Sequence, residues 1–277
     1  SIIFSYQLTK NLYLKKGTKL FFFIILSSIL ISMSSFTVPL NYSYFSYRDI
    51  YILLFLIFFM QLFINDSFKL SILISITLIS TISALMHIDT GFYINFILLS
   101  YICYLFILKK YKKFFVIFLS LFIFWLLIIY FISFEEFKAF LDHSISMIFS
   151  LDLMHGLKHP TPFFSIIESE YGTRATRGLL LQLTAGLFVI NYLFLGKKKI
   201  SSSKKIFFVF LYLVSFVMYK NGLGRSDSNH LRMSADFPIL INIFFILNYF
   251  FIFFEKKILN KSLFSFKFFF SLSVIYL

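Results

Sequence analysis

Long apolar runs alternate with short polar segments along most of the chain. A run of roughly 18 or more apolar residues is long enough to cross ~30 Å of hydrocarbon as a helix. We expect spans at about residues 20–39, 50–64, 70–86, 91–108, 114–132, 178–195, 206–219 and 237–254, and a truncated one from residue 267. The pattern predicts an all-α, polytopic transmembrane helical bundle with about nine spans.

One polar gap, residues 133–177, is much longer than the others. It opens with SFEEFKAFLDHSISMIF, in which Ser133 and Glu136 have the spacing of a capping box. Apolar residues then recur at helical intervals, at Phe137, Leu141, Ile145 and Ile148. We expect an amphipathic helix in the membrane interface, which either roofs a membrane-facing cavity or only packs over the bundle.

Composition supports one membrane domain over residues 1–277. The chain is 60% apolar and 14% charged, with 44 Phe, which lies outside the range of soluble domains. It starts at Ser1 without a Met and stops inside an apolar run, so we expect a fragment of a longer protein. Cys103 is the only cysteine, which excludes an internal disulfide.

The lysines and arginines are segregated to opposite sides of the expected bundle. Eighteen of the 26 basic residues, all lysines, fall in one alternate set of gaps and near the chain ends. The main lysine segments are residues 10–19, NDSFK at 65–69, KKYKK at 109–113, GKKKISSSKK at 196–205 and EKKILNK at 255–261. By the positive-inside rule these segments are cytoplasmic, the N-terminal segment included, and the 133–177 loop is outside.

The other set of gaps holds all five arginines, all five histidines and ten of the twelve carboxylates. Arginine offers a planar fork that binds phosphate or carboxylate through two hydrogen bonds, which lysine cannot do. The arginines therefore indicate an outward-facing site for an anionic ligand. The alternatives are chance placement or pairing with nearby carboxylates that holds the loops together.

The gap at 220–236 starts with KNGLGRSDSNHLR and concentrates this polar chemistry. We expect Asn221, Gly222 and Gly224 to end the preceding helix, and Ser234 or Asp236 to cap the next one. Within the gap, neither helix end requires Arg225, Asp227, His230 or Arg232.

These residues fit transfer of a group from a lipid phosphate carrier. If residues 227–232 form a helical turn, Asp227 and His230 are neighbours at i,i+3, a spacing at which the carboxylate can orient the imidazole. Either side chain could then act as general base. The flanking Arg225 and Arg232 could stabilise a phosphate leaving group.

Two further pairs are candidates for the same side. Arg174 and Arg177, in ESEYGTRATRG, are three apart on the expected first turn of a helix, where they either hold an anionic headgroup or anchor that helix. His87 and Asp89 lie in the tight gap MHIDTGFY, where Asp89 either caps the next helix or faces a polar cavity.

No cofactor is identified by the sequence. His155 and His159 have helical metal-ligand spacing, but Gly156 and Pro160 argue against a regular helix there. A divalent cation is compatible with the expected chemistry, although no motif indicates one, and we expect no protein metal site. We also expect no nucleic-acid partner, because the positive charge follows membrane topology instead of forming a stripe with aromatic residues.

The segment LGRSDSNHLR before a late span, together with short outer turns and one long outer loop, resembles polytopic envelope glycosyltransferases of the GT-C type. The resemblance implies an enzyme at the outer face of the bacterial cytoplasmic membrane. Its donor would be a polyprenyl-phosphate-linked sugar and its acceptor a saccharide or a lipid, in envelope polysaccharide or glycolipid assembly. The family carries its key acidic residue in the first outer loop, where this chain offers Asp49 beside Arg48.

Other membrane functions stay open on the sequence alone. An O-antigen polymerase or ligase would also place arginines and histidines in outer loops, around a lipid diphosphate. A lipid-linked saccharide flippase or secondary transporter would need polar or charged residues within its spans, or internal repeats, and the spans hold almost no charge. A structural membrane protein is the remaining alternative.

Overall fold

The computed structural model describes residues 2–10, 16–32, 46–64, 69–154, 170–194, 202–225 and 234–259. Every regular element in these residues is a helix, which confirms the all-α prediction. The helices are α1 (Ile2–Lys10), α2 (Lys16–Ser32), α3 (Ser46–Ile64), α4 (Leu70–Met86), α5 (Ile88–Ile107), α6 (Tyr111–Ile132), α7 (Phe134–Met154), α8 (Glu170–Phe194), α9 (Ser202–Arg225) and α10 (Asp236–Leu259). A helix lies at each expected span except the one from residue 267, which is outside the described residues.

Four helices in the described part of the chain are long and apolar enough to cross a membrane. These segments are Ile88–Ile107, Tyr111–Ile132, Ala175–Phe194 and Asp236–Phe253. Three shorter apolar helices accompany them, at Gly17–Ile29, Ile50–Phe63 and Leu70–Met86. The protein is therefore a helical membrane protein, while the expected total of nine spans stays a prediction.

Successive long helices run in opposite directions. A single residue, His87, joins α4 to α5, and residues 108–110 join α5 to α6. Phe63 of α3 contacts Phe207 of α9, whereas Phe59 contacts Phe210, so these two helices are antiparallel. As a result α4, α6 and α9 begin at one end of the bundle, the lysine end, which carries Lys69, Lys112 and Lys205.

The opposite end is called the arginine end. It is formed where α5, α8 and α10 begin and where α4, α6 and α9 finish. Two contacts along each helix pair fix the relative directions. The Tyr219 hydroxyl near the end of α9 donates to the Ala175 carbonyl near the start of α8, and Lys205 near the start of α9 donates to the Leu193 carbonyl near the end of α8. Asn242 of α10 donates to the Leu181 carbonyl of α8, and further along both helices the rings of Phe245 and Phe188 stack. α9 is therefore antiparallel to α8, and α10 is parallel to it.

Reciprocal side-chain hydrogen bonds join α8 and α9 in the middle of their length. The Gln182 amide donates to the Ser215 carbonyl at 2.8 Å, and the Ser215 hydroxyl donates back to the Gln182 side-chain oxygen at 3.0 Å. Both side chains are buried. Because apolar side chains gain little from leaving lipid for protein, such bonds and close packing carry much of helix association in a membrane.

Tyrosines pack onto glycines on either side of this pair. A Cβ on Gly178 would lie 2.7 Å from the Tyr219 ring, and one on Gly186 would lie 2.8 Å from the Tyr212 hydroxyl. Each glycine thus leaves the space that a tyrosine of α9 occupies. The two helices consequently approach closely along the whole contact.

Aromatic side chains connect this part of the bundle to α3 and α5. Phe59 is fully buried, and its ring contacts those of Phe55, Tyr101 and Phe210 at centroid distances of 5.1, 5.1 and 5.4 Å. The Phe55 ring is stacked on Phe59, whereas Tyr101 and Phe210 meet it edge to face, which suits the opposite partial charges of ring edge and ring face. These contacts place α5 against α9 and fix the start of α5 at the arginine end.

The α4–α5 hairpin is packed most tightly at Gly91. A Cβ there would lie 2.3 Å from the Cα of Ala84, which is a backbone atom and cannot rotate away. One turn further from the connection on each helix, the Ser80 hydroxyl donates to Asn95 Oδ1 at 2.7 Å, and the Asn95 amide donates to the Ser80 carbonyl at 3.2 Å. The absence of a side chain at residue 91 therefore allows this hydrogen bonding.

We predict that Gly91→Ala separates α4 from α5 and lowers stability by about 1–3 kcal/mol, because overpacking against backbone forces the helices apart. Gly17→Ala is the matched control, since no heavy atom lies within 4 Å of a Cβ at residue 17. It should be neutral or slightly stabilising, as alanine favours helix over glycine by ~1 kcal/mol. Thermal unfolding of both purified variants in detergent measures the difference, and equal melting temperatures would contradict the close approach.

Candidate functional site at the arginine end

His87 and Asp89 lie where α4 passes directly into α5. His87 is extended (φ −148°, ψ 108°); its N–H donates to the Ser83 carbonyl, and its own carbonyl accepts from the Gly91 N–H. His87 occupies the N-cap position of α5 without a side-chain capping bond. Asp89 lies in the first turn, so the expectation that Asp89 is the cap was wrong, although its charge still complements the helix dipole.

Arg174 and Arg177 belong to α8, which begins at Glu170. They therefore lie beyond the first turn, one turn deeper than the sequence indicates. Arg177 is exposed, whereas its neighbours Ala175 and Gly178 are buried against Tyr219. The close contact with α9 thus fixes the part of α8 that carries Arg177 at the rim of the arginine end.

The end of α9 differs from the sequence prediction. The helix continues through Asn221, Gly222 and Gly224 and finishes at Arg225. A glycine inside a helix costs only ~1 kcal/mol relative to alanine, and packing overrides that cost, as the burial of Gly222 indicates. Arg225 is therefore the last helical residue instead of a loop residue.

Asp227, His230 and Arg232 lie outside the described residues, as do His155 and His159. The proposed i,i+3 relationship of Asp227 and His230 consequently stays a prediction. The chain that carries them leaves α9 at Arg225 and enters α10 near Ser234, so both attachment points are at the arginine end.

The start of α10 is buried. Asp236 is the first helical residue, 6% exposed, and Ser234 two residues earlier is 3% exposed. The expectation that Asp236 caps the helix was therefore wrong, because Asp236 belongs to the first turn and the Ile239 N–H donates to the Ala235 carbonyl. A buried carboxylate in a first turn is favoured by the partial positive charge of the helix start.

Together these elements bring the candidate residues to one end of the bundle. The starts of α5, α8 and α10 carry His87, Asp89, Arg174 and Arg177, and the end of α9 carries Arg225. The directions of the helices therefore place one histidine, one aspartate and three arginines at the same end of the bundle, as the sequence predicts.

Four neutral polar residues inside the spans escaped the sequence analysis: Gln182, Ser215, Tyr219 and Asn242. The Asn242 amide donates to the Leu181 carbonyl and to the Thr184 hydroxyl, both at 3.0 Å. Its side-chain oxygen is buried and has no hydrogen-bond partner among the described residues. An isolated amide within an apolar run, as in LLLQLTAG and ILINIFF, is the signal that could have identified Gln182 and Asn242.

The helix predicted in the long gap is present as α7, and one capping bond supports its predicted start. The Glu136 N–H donates to the Ser133 hydroxyl at 3.4 Å, which matches half of a capping box. Ser133 has φ 73°, so a single residue in an unusual conformation separates α6 from α7.

Three faces can be distinguished on α7. Phe137, Phe140 and Ser144 face the bundle, where Phe137 contacts the Trp125 ring of α6. Phe134, Leu141 and Ile145 form an exposed apolar stripe beside them, so Leu141 and Ile145 do not share the buried face with Phe137. The third face carries the exposed polar residues Glu135, Glu136, Asp142 and His143. Such a division suits a helix that lies at a lipid–water boundary beside other helices.

No group of three or more His, Cys, Asp or Glu side chains that could hold a metal ion occurs among the described residues. The described residues at the arginine end offer guanidinium, carboxylate and imidazole groups.

We predict that the two ends of the bundle lie on opposite sides of the membrane. In a Cys103→Ser background, Ala139→Cys places a thiol on the exposed polar face of α7, and Lys112→Cys places one at the lysine end. A membrane-impermeant maleimide should label the first variant in intact cells, and the second only after permeabilisation. The reverse labelling pattern would overturn the orientation, and labelling of both from outside would contradict the opposite ends.

No protein-family model, curated protein or solved structure matches the chain. A proposal for the function therefore rests on the residues described above.

Proposed function

We propose that the protein is an integral membrane glycosyltransferase that takes a sugar from a polyprenyl-phosphate carrier and transfers it to a saccharide or lipid acceptor. The observation that carries the proposal is the grouping of arginine, carboxylate and histidine positions at one end of a membrane-spanning bundle, with lysines at the other. Arginine binds a phosphate through two parallel hydrogen bonds, whereas the lysine end needs only positive charge.

The arginine end is also where a lipid carrier can reach. A polyprenyl phosphate keeps its chain in the bilayer and its phosphate at the headgroup level. Arg177 is exposed near the start of α8, and Arg225 ends α9 at the same end of the bundle. In this proposal Arg174, Arg177, Arg225 and Arg232 bind the donor phosphate, with Arg225 and Arg232 nearest to the bond that breaks.

Transfer needs one base and one stabilised leaving group. Asp227, or His230 oriented by Asp227, takes the proton of the acceptor hydroxyl while that oxygen bonds to the anomeric carbon. The bond between the anomeric carbon and the phosphate oxygen breaks, and its electron pair stays on the phosphate. Arg225 and Arg232 stabilise this charge, and the base returns its proton to water.

His87 and Asp89 supply the acceptor side of the site. Both are partly buried at the start of α5, where the backbone is held by the bonds of His87 to α4 and to Gly91. In this proposal His87 helps to bind the substrate, and Asp89 is the second carboxylate available for proton transfer. Their fixed backbone favours a positioning role, which rigid elements perform better than loops.

The proposed location is the outer face of a bacterial cytoplasmic membrane, with the N-terminal segment cytoplasmic. The lysine end would face the cytoplasm by the positive-inside rule. The same chemistry would serve an O-antigen polymerase or ligase that uses a lipid diphosphate, and that activity is the second candidate.

A flippase or transporter is less well supported. Its substrate path would require polar groups that face a cavity between helices. Gln182 and Ser215 instead bond each other, and the Asn242 amide bonds α8. These polar side chains hold helices together, which favours a fixed scaffold with its chemistry at one end.

Substitution of Arg225 tests the two-pronged phosphate contact. We expect Arg225→Ala to lower transfer from a polyprenyl-phosphate-linked sugar by about 10²–10³-fold, a loss typical of a missing transition-state donor. Arg225→Lys should be nearly as harmful, because lysine keeps the charge but loses the planar fork. Lys220→Ala is the matched control, since Lys220 is an exposed cation near the same end of α9. Product formation in isolated membranes, normalised to protein amount, measures the activity of all three variants. Full activity of the Arg225→Lys variant would show that positive charge is sufficient at this position and would contradict the two-pronged contact.

Substitution of Asp227 tests the assigned base. Asp227→Asn keeps the size of the side chain but removes the charge that accepts a proton, and we expect activity to fall by about 10²–10⁴-fold with normal insertion. Asp142→Asn is the control because Asp142 is an exposed carboxylate on α7. Asp236→Asn is unsuitable as a control, since Asp236 is buried at the start of α10. If the Asp227→Asn protein transfers sugar normally, Asp89 becomes the remaining carboxylate to examine.

A further inference from the structure

Ser133, the single residue between α6 and α7, has a strained backbone. Its φ of 73° and ψ of 156° lie in a region that is essentially restricted to glycine, because a side chain there crowds the backbone. Such a conformation persists only where the surrounding structure holds it. The bond that the Glu136 N–H donates to the Ser133 hydroxyl is long, at 3.4 Å. The position of α7 against the bundle must therefore be held by contacts further along the helix.

The contacts between α7 and the bundle are apolar. Phe137 lies against the Trp125 ring at a centroid distance of 5.6 Å, and Phe140 is half-buried one turn further along. Ser144 is the only buried residue between 134 and 146, and its hydroxyl donates to the Phe140 carbonyl of α7 itself. Within these described residues, no hydrogen bond joins α7 to another helix. The attachment of α7 is therefore weak, as is typical of parts of a protein that open easily.

The bundle covers only one edge of the apolar face of α7. At ~100° per residue, the side chains of Phe134, Phe137, Phe140, Leu141 and Ile145 lie within an arc of roughly 140° around the helix. We call these five residues the apolar arc. Phe137 and Phe140 face the bundle, whereas Phe134, Leu141 and Ile145 are 67%, 39% and 51% exposed. Three of the five residues are thus available to meet another apolar surface.

The surface next to the apolar arc faces lipid. Tyr130 and Phe131, at the end of α6, are 82% and 79% exposed, and their rings contact each other at 5.6 Å. They adjoin Phe134 across Ser133, so exposed rings continue from α6 into the apolar arc. α6 is long and apolar enough to cross a membrane, and little of it is buried. The exposed polar residues of α7 lie on the opposite side of the helix, a division that suits the boundary between acyl chains and water.

We propose that α7 is a hinged helix that exchanges between two positions, with Ser133 as the hinge. In the docked position, which is the one described above, Phe137 lies against Trp125 and Ser133 is strained. In the released position α7 turns away from α6, Ser133 relaxes, and the whole apolar arc packs against acyl chains at the membrane surface. Each position has contacts that the other lacks, so the lipid around the protein sets their ratio. The proposal is independent of the proposed enzymatic activity.

Distances between spin labels on the full chain in lipid bilayers test the exchange. In a Cys103→Ser background, labels attached to Ala139→Cys on α7 and Phe122→Cys on α6 should give two distances, one of them that of the docked position. Labels attached to Phe96→Cys and Phe122→Cys are the matched control, because both positions are exposed but neither is on α7. This second pair should give one distance. A single, docked distance for the first pair would overturn the proposal.

Two variants should shift the ratio toward the docked position for different reasons. Ser133→Gly removes the strain of the docked backbone and should raise the ratio of docked to released protein about fivefold or more. Leu141→Ser combined with Ile145→Ser weakens the lipid contact of the released position and should raise the ratio about tenfold. Ser146→Ala, on the exposed polar side of α7, is the control and should leave the ratio unchanged.

Each part of the proposal has its own contradicting outcome. An unchanged ratio in the Ser133→Gly protein would rule out Ser133 as the hinge. An unchanged ratio in the Leu141→Ser, Ile145→Ser protein would rule out lipid as the partner of the apolar arc. A distance measured in protein labelled only at Ala139→Cys would come from a second copy of the chain, and it would overturn the lipid contact as well.

If the Ser133→Gly protein does not fold, fluorescence of the unlabelled protein decides the question. Trp125 is the only tryptophan of the chain, and Phe137 lies against it in the docked position. Lipids with brominated acyl chains should therefore quench Trp125 more strongly when α7 is released. The Leu141→Ser, Ile145→Ser protein should show less quenching than the wild type, and equal quenching in both would contradict the exchange.

Discussion

The hydrogen bonds between Gln182 and Ser215 are the constraint on which the arrangement of α8, α9 and α10 depends. In a bilayer these helices gain little by exchanging lipid contacts for apolar protein contacts, so specific bonds and close approach must align them. The reciprocal pair allows one register only, because a shift of either helix breaks both bonds. Tyr212 and Tyr219, seated on Gly186 and Gly178, add steric limits on both sides.

The register of α8 against α9 determines which residues lie at the arginine end. With Tyr219 bonded to the Ala175 carbonyl, Arg177 of α8 and the last turn of α9 are held at the same side of the membrane. Asn242 then fixes the start of α10 relative to α8, so the residues between α9 and α10 are attached at two points of known position.

The sequence predicted helix positions well because the hydrocarbon thickness sets a length that apolar runs must meet. The bounds of helix α4 were predicted to the residue, and the separation of lysine from arginine placed Asp89, Arg177 and Arg225 at one end of the bundle. Helix ends were predicted less well. Gly222 and Gly224 did not end α9, since glycine lowers helix stability without removing a hydrogen bond, and packing compensates.

The contacts inside the bundle could not be read from the sequence. Gln182 and Asn242 each interrupt an apolar run, but their bonding partners lie 33 and 61 residues away in the chain. Gly91 lies in the tight gap MHIDTGFY, and nothing in that stretch indicates that this glycine controls how closely α4 approaches α5. Both features depend on which helices are neighbours, and that information arises only when the bundle has formed.

The single-residue connection at His87 has a consequence for membrane insertion. α4 and α5 together contain 37 residues of hairpin with one residue between them, so the two helices must enter the bilayer as a unit. The Asn95 amide would be costly in hydrocarbon on an isolated α5, yet in the hairpin it bonds the Ser80 carbonyl and its own helix at the Gly91 carbonyl. Biogenesis of this region is therefore a two-helix event, in which a one-residue turn brings Asn95 to Ser80 and makes the Asn95 amide acceptable to the lipid.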